Sequence, residues 1–147
     1  MYSIQEIVQY VCERQVVPSS SDFSGFGAVF YRGSIADLPV TPLTPGSELG
    51  FPEGDVSKIA DLLFAVSRYS DDRHDGFHFV HESLGLTHFA QFFSPPIPKG
   101  YAAKRYGVGA RYRAAELGAL IENVVAVLIV GKDGKVIVFQ DGEETTL

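Results

Sequence analysis

Residues 123–140 read NVVAVLIVGKDGKVIVFQ, and this stretch decides the fold class of the chain. The apolar run at 123–130 predicts a strand covered on both faces, because a strand with one wet face would alternate apolar and polar residues. GKDGK at 131–135 is a turn sequence, and VIVFQ at 136–140 predicts the returning strand of a hairpin. A strand covered on both faces favours a sheet with helices packed against it.

The rest of the chain supplies both kinds of element. Apolar residues at helical spacing predict a first helix over 3–15, and a second over about 56–68 that Asp55 can cap. GARYRAAELGAL at 109–120 predicts a glycine-containing loop that runs into a short third helix. Apolar or alternating patterns predict further strands at 25–32, 77–81 and 87–93.

Residues 38–54 contain four prolines and three glycines, a density that predicts no regular element but an ordered surface loop or a strand-edge connection. Strands and helices otherwise alternate along the chain, and hairpins close it. The predicted fold class is therefore α/β, with one domain over residues 1–147 in which helices flank a central mixed sheet.

Composition excludes several classes of protein. The chain has 147 residues and a formal net charge of −6, which argues against general nucleic-acid binding, since that needs a basic face. Cys12 is the single cysteine, so an intrachain disulfide is excluded. No apolar run approaches the roughly 20 residues of a membrane-spanning helix. The first ten residues lack the basic start of a signal peptide, so we expect a cytoplasmic protein without a membrane partner.

Three short segments contain charged residues that could bind a ligand or take part in catalysis. Asp75 lies in a polar turn, where the simpler interpretation is a turn residue. Arg111 and Arg113 lie at a predicted helix start, where free backbone N–H groups also favour a polyphosphate, although surface pairing with acids is the alternative. Glu122 directly precedes the apolar strand, where a solvated loop residue is the simpler interpretation.

The order of these segments resembles the diadenylate cyclase domain family. That family has a His-Asp-Gly-Ala turn, a Leu-Pro-Leu loop, a Gly-Thr-Arg-His-Arg-Ala-Ala helix start, a Ser-Glu pair and a closing hairpin. The matching segments here are His74-Asp75-Gly76-Phe77, Phe93-Ser94-Pro95-Pro96, Gly109-Ala110-Arg111-Tyr112-Arg113-Ala114-Ala115, Ile121-Glu122 and VAVLIVGKDGKVIVFQDG at 125–142. GFGAVFY at 25–31 also resembles the first core strand of the family.

The resemblance implies the fold of that family and a site for ATP or a cyclic dinucleotide with Mg²⁺ or Mn²⁺. It implies that Asp75 is the catalytic residue and a metal ligand, with Glu122 as a second carboxylate. It further implies a head-to-head homodimer, in which each domain presents one ATP to the other. The residues expected to contact the nucleotide are Asp75, Gly76, Phe77, Phe93, Ser94, Arg111, Tyr112 and Arg113.

Departures from the family pattern bear on activity. Phe77, Ala110, Tyr112 and Ile121 replace the family's alanine, threonine, histidine and serine, and Ser94 replaces the first leucine of its loop. Charged groups are kept and positioning groups are lost, which harms catalysis more than binding. We therefore expect a nucleotide-binding sensor domain that binds ATP or a cyclic dinucleotide without efficient turnover. The alternatives are an active diadenylate cyclase, which would condense two ATP into cyclic di-AMP, and an interaction module that has lost its ligand.

Overall fold

Eight strands form one mixed sheet in the computed structural model, which describes residues 2–14 and 22–147. The strands are β1 (Phe26–Tyr31), β2 (Val40–Pro42), β3 (Glu48–Glu53), β4 (Phe77–His81), β5 (Gly85–Phe93), β6 (Val124–Val130), β7 (Val136–Gln140) and β8 (Glu143–Thr146). The helices are α1 (Ile4–Arg14), α2 (Val56–Val66) and α3 (Gly109–Gly118), with a short 3₁₀ turn at Ile35–Asp37.

The sheet has the order β2-β5-β4-β1-β6-β7-β8, and β3 also pairs with β5. β1 is parallel to β4 and antiparallel to β6, and the remaining pairs are antiparallel. Gly27 lies opposite Phe77, and Phe26 lies opposite Val130. β1 and β4 therefore begin at the same end of the sheet, where β6 ends.

Helices cover both faces of this sheet. Apolar residues of α1 and α2 pack on one face, against alternate residues of β1 such as Phe26 and Phe30. α3 packs on the other face, against Val29 of β1 and Val127 of β6. Because the central strand β6 is covered on both sides, its sequence is apolar throughout.

Local signals place the helix starts. Ser3 and Glu6 form a reciprocal cap before α1: the Glu6 N–H donates to Ser3 Oγ at 3.2 Å, and the Ser3 N–H donates to Glu6 Oε2 at 3.1 Å. Asp55 caps α2 by accepting a hydrogen bond from the Lys58 N–H at 3.0 Å. The predicted central mixed sheet with flanking helices is confirmed, whereas residues 1 and 15–21 of the predicted domain lie outside the described residues.

The prediction for residues 38–54 needs correction. This segment contributes two edge strands, β2 and β3, which both pair with β5. An edge strand bonds to a neighbour on one side only, so Pro42 and Pro52 are tolerated there. The sequence pattern also missed β8, a polar strand at the opposite edge of the sheet.

Across residues 2–14 and 22–147, no helix combines the length and the apolar character needed to cross a membrane.

Candidate functional site

The candidate site lies at the end of the sheet where β1 and β4 begin. Gly25 leads into β1 with φ +71°, and a Cβ there would lie 2.5 Å from the Val130 carbonyl oxygen and 2.8 Å from Arg111 Nη1. A larger residue would clash with both groups. The glycine therefore lets the Arg111 guanidinium lie directly on the backbone at the start of β1.

Arg111 is half-buried in the first turn of α3. Among the described residues its one hydrogen bond goes from Nη1 to the Ser24 carbonyl oxygen at 3.3 Å. Burial lowers the pKa of the guanidinium, and the nearby charge of Asp75 opposes that shift. A guanidinium carries five N–H donors, so most of them remain available to an anion.

Asp75 lies in the turn before β4 and is exposed. Its Oδ1 accepts a hydrogen bond from the Gly76 N–H at 2.9 Å. Gly76 has φ +74°, and a Cβ there would lie 2.4 Å from the Gln91 carbonyl oxygen, so the turn is held tightly against β5. The structure thus brings Asp75 and Arg111 to one end of the sheet, close enough for their charges to interact.

A cavity of about 330 Å³ adjoins Arg111 between α3 and the β6–β7 hairpin. Arg105, Arg111 and Lys135 contribute positive charge to its lining, and Asp133 contributes one carboxylate. Its remaining walls are mainly apolar. Arg105 and Lys135 are not predicted by the sequence pattern, because nothing in their neighbourhood along the chain relates them to Arg111.

Tyr69 and Lys132 lie near the same end of the sheet. The Lys132 ammonium lies 4.9 Å from the centroid of the half-exposed Tyr69 ring. The Tyr69 ring also contacts the His74 ring, with 5.5 Å between centroids. A Cβ at Gly25, which would lie against Arg111, would also lie 3.1 Å from the Lys132 backbone N. Lys132 is therefore a further positive charge beside the arginine, from a turn that showed no such role in the sequence.

Arg113 has its contacts elsewhere. Its Nη1 donates to Glu116 Oε1 at 2.8 Å and to the Tyr101 hydroxyl at 2.7 Å, and its Nη2 donates to the Arg105 carbonyl oxygen. Residues two positions apart in an α-helix lie about 200° apart around its axis. The side chains of Arg111 and Arg113 therefore leave α3 on different sides. Asp75 and Arg111 therefore lie at the same end of the sheet, whereas Arg113 makes its contacts on another side of α3.

Tyr112 packs α3 onto the last strands of the sheet. Its ring meets Phe139 edge-on at 5.0 Å, and its hydroxyl donates to Glu144 Oε1 at 2.8 Å. Burial and the bond to Glu144 raise the pKa of Tyr112 to about 12. The hydroxyl is thus already occupied, although the residue forms part of the cavity wall next to Arg111.

Phe77 and Phe93 are core residues, in contrast to their predicted role as nucleotide contacts. Both are about 5% exposed or less, and their rings meet edge-to-face at 5.4 Å between centroids. Ser94 is exposed, and its N–H donates to the Pro39 carbonyl oxygen at 3.0 Å. It lines a separate shallow depression with Leu38.

Glu122 is exposed in the turn before β6. The next residue, Asn123, accepts a hydrogen bond from the N–H of Arg32, which follows the end of β1. Asp75 precedes the strand that pairs with the start of β1, so the two carboxylates flank opposite ends of the central strands. Glu122 is therefore not placed to complete an ion site at Asp75.

The donor set limits what metal chemistry the chain can supply. The described residues include no group of three or more His, Cys, Asp or Glu side chains that could hold an ion. Mg²⁺ binds through one or two carboxylates together with phosphate oxygens and waters. Asp75 fits such a site only as the single protein carboxylate, with the ligand's phosphates as its partners.

His78 is a buried neighbour of the site. Its Nδ1 accepts a hydrogen bond from the Ala90 N–H at 3.1 Å, and its buried Nε2 has no partner within residues 2–14 and 22–147. Burial lowers the pKa of His78 to about 3, and the charges of Arg111 and Arg73 contribute to the shift. The imidazole is therefore neutral at physiological pH.

The architecture is similar to that of solved structures. No protein-family model and no curated protein matches the chain. It is similar in structure to a hypothetical membrane spanning protein from Bacillus cereus, with a TM-score of 0.64 and 18% identity over 98% of this chain. It is also similar to DacA from Staphylococcus aureus, solved as a cysteine double mutant, with a TM-score of 0.64 and 17% identity over 97% of this chain.

The chain spans 61% of the length of the Bacillus cereus structure and 84% of the DacA structure. At identities this low, the likeness establishes a shared fold and no more. The fold expected from the sequence resemblance is confirmed: the chain has the α/β fold of DacA.

Proposed function

We propose that this chain is a nucleotide-binding domain of the diadenylate cyclase fold, which binds ATP or a cyclic dinucleotide with little or no turnover. The observation that carries the proposal is Arg111, held at the start of β1 beside Asp75 with most of its donors available. The likeness in fold to DacA supports the same class of ligand.

The phosphate chain would bind to Arg111. Guanidinium forks suit phosphate oxygens, and hydrogen bonds between charged groups are the strong ones. α3 begins at Gly109 without a side-chain cap, so its first backbone N–H groups add partial positive charge nearby. Lys132 and Lys135 add positive charge near Arg111, whereas Arg105 pairs with Glu144 at 3.4 Å.

Asp75 would hold Mg²⁺ or Mn²⁺ together with the phosphate oxygens. Such an ion neutralises phosphate charge and can activate a hydroxyl group. The exposed carboxylate is free to turn towards phosphates on Arg111, because only its Oδ1 accepts the local bond from Gly76 among the described residues. Asp75 is also the residue on which any catalysis would depend.

Weak turnover follows from the groups that surround this pair. Arg113 is engaged by Glu116, and the Tyr112 hydroxyl is engaged by Glu144. Ala110 offers no hydroxyl group to a phosphate. Charge remains for binding, but few side chains remain to align two reacting nucleotides, and small misplacements of reacting atoms are costly. Synthesis of cyclic di-AMP would also require the head-to-head homodimer that the sequence resemblance implies.

Matched arginine variants test the phosphate assignment. Arg111→Ala should weaken ATP binding by about 1.5–3 kcal/mol, or roughly tenfold to a hundredfold, since a charged hydrogen bond is lost. Arg113→Ala removes the same type of side chain from the same helix and should change the ATP affinity much less. Isothermal titration calorimetry with ATP and Mn²⁺ measures both. Equal affinities of the parent and Arg111→Ala would refute the assignment.

A product assay separates the alternatives. The parent protein is incubated with ATP and Mn²⁺, and cyclic di-AMP is sought by mass spectrometry. Binding and thermal stabilisation without product support the proposal. Efficient product formation would instead identify an active cyclase, and the absence of both binding and product would leave an interaction module.

A further inference from the structure

Two glycines at the start of β1 are each covered by a side chain from the α3 side of the sheet. A Cβ at Gly25 would lie 2.8 Å from Arg111 Nη1, and a Cβ at Gly27 would lie 2.4 Å from Phe77 Cε2. Arg111 belongs to α3, and Phe77 belongs to the apolar cluster that packs against α3. The Arg111 guanidinium and the Phe77 ring therefore lie side by side against backbone at Gly25 and Gly27, where no side chain is present.

Phe77 is held in this position by a second ring. Its 5% exposed side chain meets Phe93 edge-to-face at 5.4 Å. Phe93 in turn covers Gly118 at the end of α3, where a Cβ would lie 2.2 Å from Phe93 Cε2. The two rings thus fill the space between β1 and α3 from Gly27 to Gly118.

We infer that the Phe77 ring blocks the space between β1 and α3 next to Arg111. The site around Arg111 then binds the phosphate chain of its ligand, while the base remains outside and is not selected. This inference rests on the proposed function. A base is selected by apolar walls with a few placed polar groups. Inward from Arg111, the gap between sheet and helix is already filled by the protein's own rings. The cavity on the hairpin side of Arg111 is lined by Arg105 and Lys135, whose charges suit phosphate oxygens. The ligand class is then any compound with a polyphosphate chain, whatever base it carries.

The parent protein provides the first test. Calorimetric titrations with ATP, GTP and inorganic tripolyphosphate, each with Mg²⁺, should give dissociation constants within about threefold of one another. ATP binding at least about tenfold tighter than both GTP and tripolyphosphate would overturn the inference and leave the proposed function intact. Binding of none of the three would overturn the inference, and if cyclic di-AMP also failed to bind, the proposed function would fall with it.

Variants then test the role of the ring itself. Phe77→Ala should open the gap beside Arg111 and tighten ATP binding at least about threefold relative to tripolyphosphate. Phe79→Ala is the matched control, because it removes a buried ring from the same strand and cluster, two residues further from Asp75. Its ratio of ATP to tripolyphosphate affinity should equal that of the parent.

Either variant can lose stability, so thermal unfolding is followed in parallel, and Phe77→Leu replaces Phe77→Ala if the latter does not fold. The leucine opens less space and should shift the ratio in the same direction by a smaller factor. A ratio unchanged in a folded Phe77 variant, or changed equally by Phe79→Ala, would overturn the assignment of Phe77.

Discussion

His78 illustrates how burial, with nearby positive charge as a smaller contribution, sets the charge state of a side chain near the site. The imidazole lies between Phe26 and Phe89, with ring centroids 6.4 and 5.6 Å away, and is fully buried. Charging it would place a cation in an apolar environment close to Arg111. The folded protein therefore resists protonation, and burial lowers the pKa to about 3.

This shift predicts a pH-dependent stability. The pKa of His78 is lower in the folded protein than its ordinary value of 6.5, so the unfolded chain takes up the proton first as the pH falls. The contribution of the neutral imidazole is complete above pH 6.5 and is lost as the pH falls from there towards 3. Urea denaturation of the parent at several pH values should show stability falling over this range.

His78→Leu places an apolar side chain in this buried position and removes the titrating group. Its free energy of unfolding should depend less on pH than that of the parent. Some dependence should remain, because burial also lowers the pKa of His88. Identical pH profiles for the variant and the parent would contradict the assignment.

The junction between β1 and α3 depends on the missing side chain at Gly25. Its φ of +71° suits glycine, and its bare surface lets α3 bring Arg111 onto the strand. Gly25→Ala should therefore lower stability and also weaken ATP binding, since the new methyl group collides with Arg111 and with the Val130 carbonyl oxygen. Denaturation and calorimetry measure the two effects separately.

Gly33→Ala is a control for backbone strain alone. Gly33 has φ +74°, yet a Cβ there would meet nothing within 4 Å. This variant should cost only the roughly 1–2 kcal/mol of a left-handed conformation and leave the ATP affinity unchanged. Equal effects of the two substitutions would show that the close contact at Gly25 is unimportant.

In the protein as a whole, the candidate binding site lies on the α3 side of the sheet, so changes on the opposite face should affect stability and not binding. α1 and α2 pack on the face opposite α3, and Ile7 of α1 is fully buried there. Ile7→Ala should lower the free energy of unfolding by about 2–5 kcal/mol through lost apolar burial and a new cavity. The fraction that remains folded should bind ATP with the affinity of the parent.

Denaturation and calorimetry at a temperature where the variant is folded check this expectation. Leu120→Ala provides a comparison, since Leu120 is a half-exposed apolar side chain just after α3 and should cost much less stability. A large change in ATP affinity for Ile7→Ala would mean that the two faces are coupled.

Local patterns in the chain were sufficient for the helices, the central strands and the α/β class. Periodicity reports which side of an element is buried, and caps such as Asp55 act over three residues, so both are present in short windows of sequence. The position of Arg111 at a helix start could likewise be predicted from a short window of sequence. An additional local signal was available for Arg113, since Glu116 lies three residues later at the spacing of a helical ion pair.

Pairings between distant segments could not be predicted in this way. β2, β3 and β8 exist because a partner strand supplies their hydrogen bonds, and their own polar or proline-containing sequences do not reveal it. Arg105 and Lys135 join Arg111 only when α3 packs beside the β6–β7 hairpin. The same packing buries Phe77 against Gly27, while the strand order separates Glu122 from Asp75. Local conformation depends on neighbouring residues, but the composition of a site depends on which distant surfaces meet.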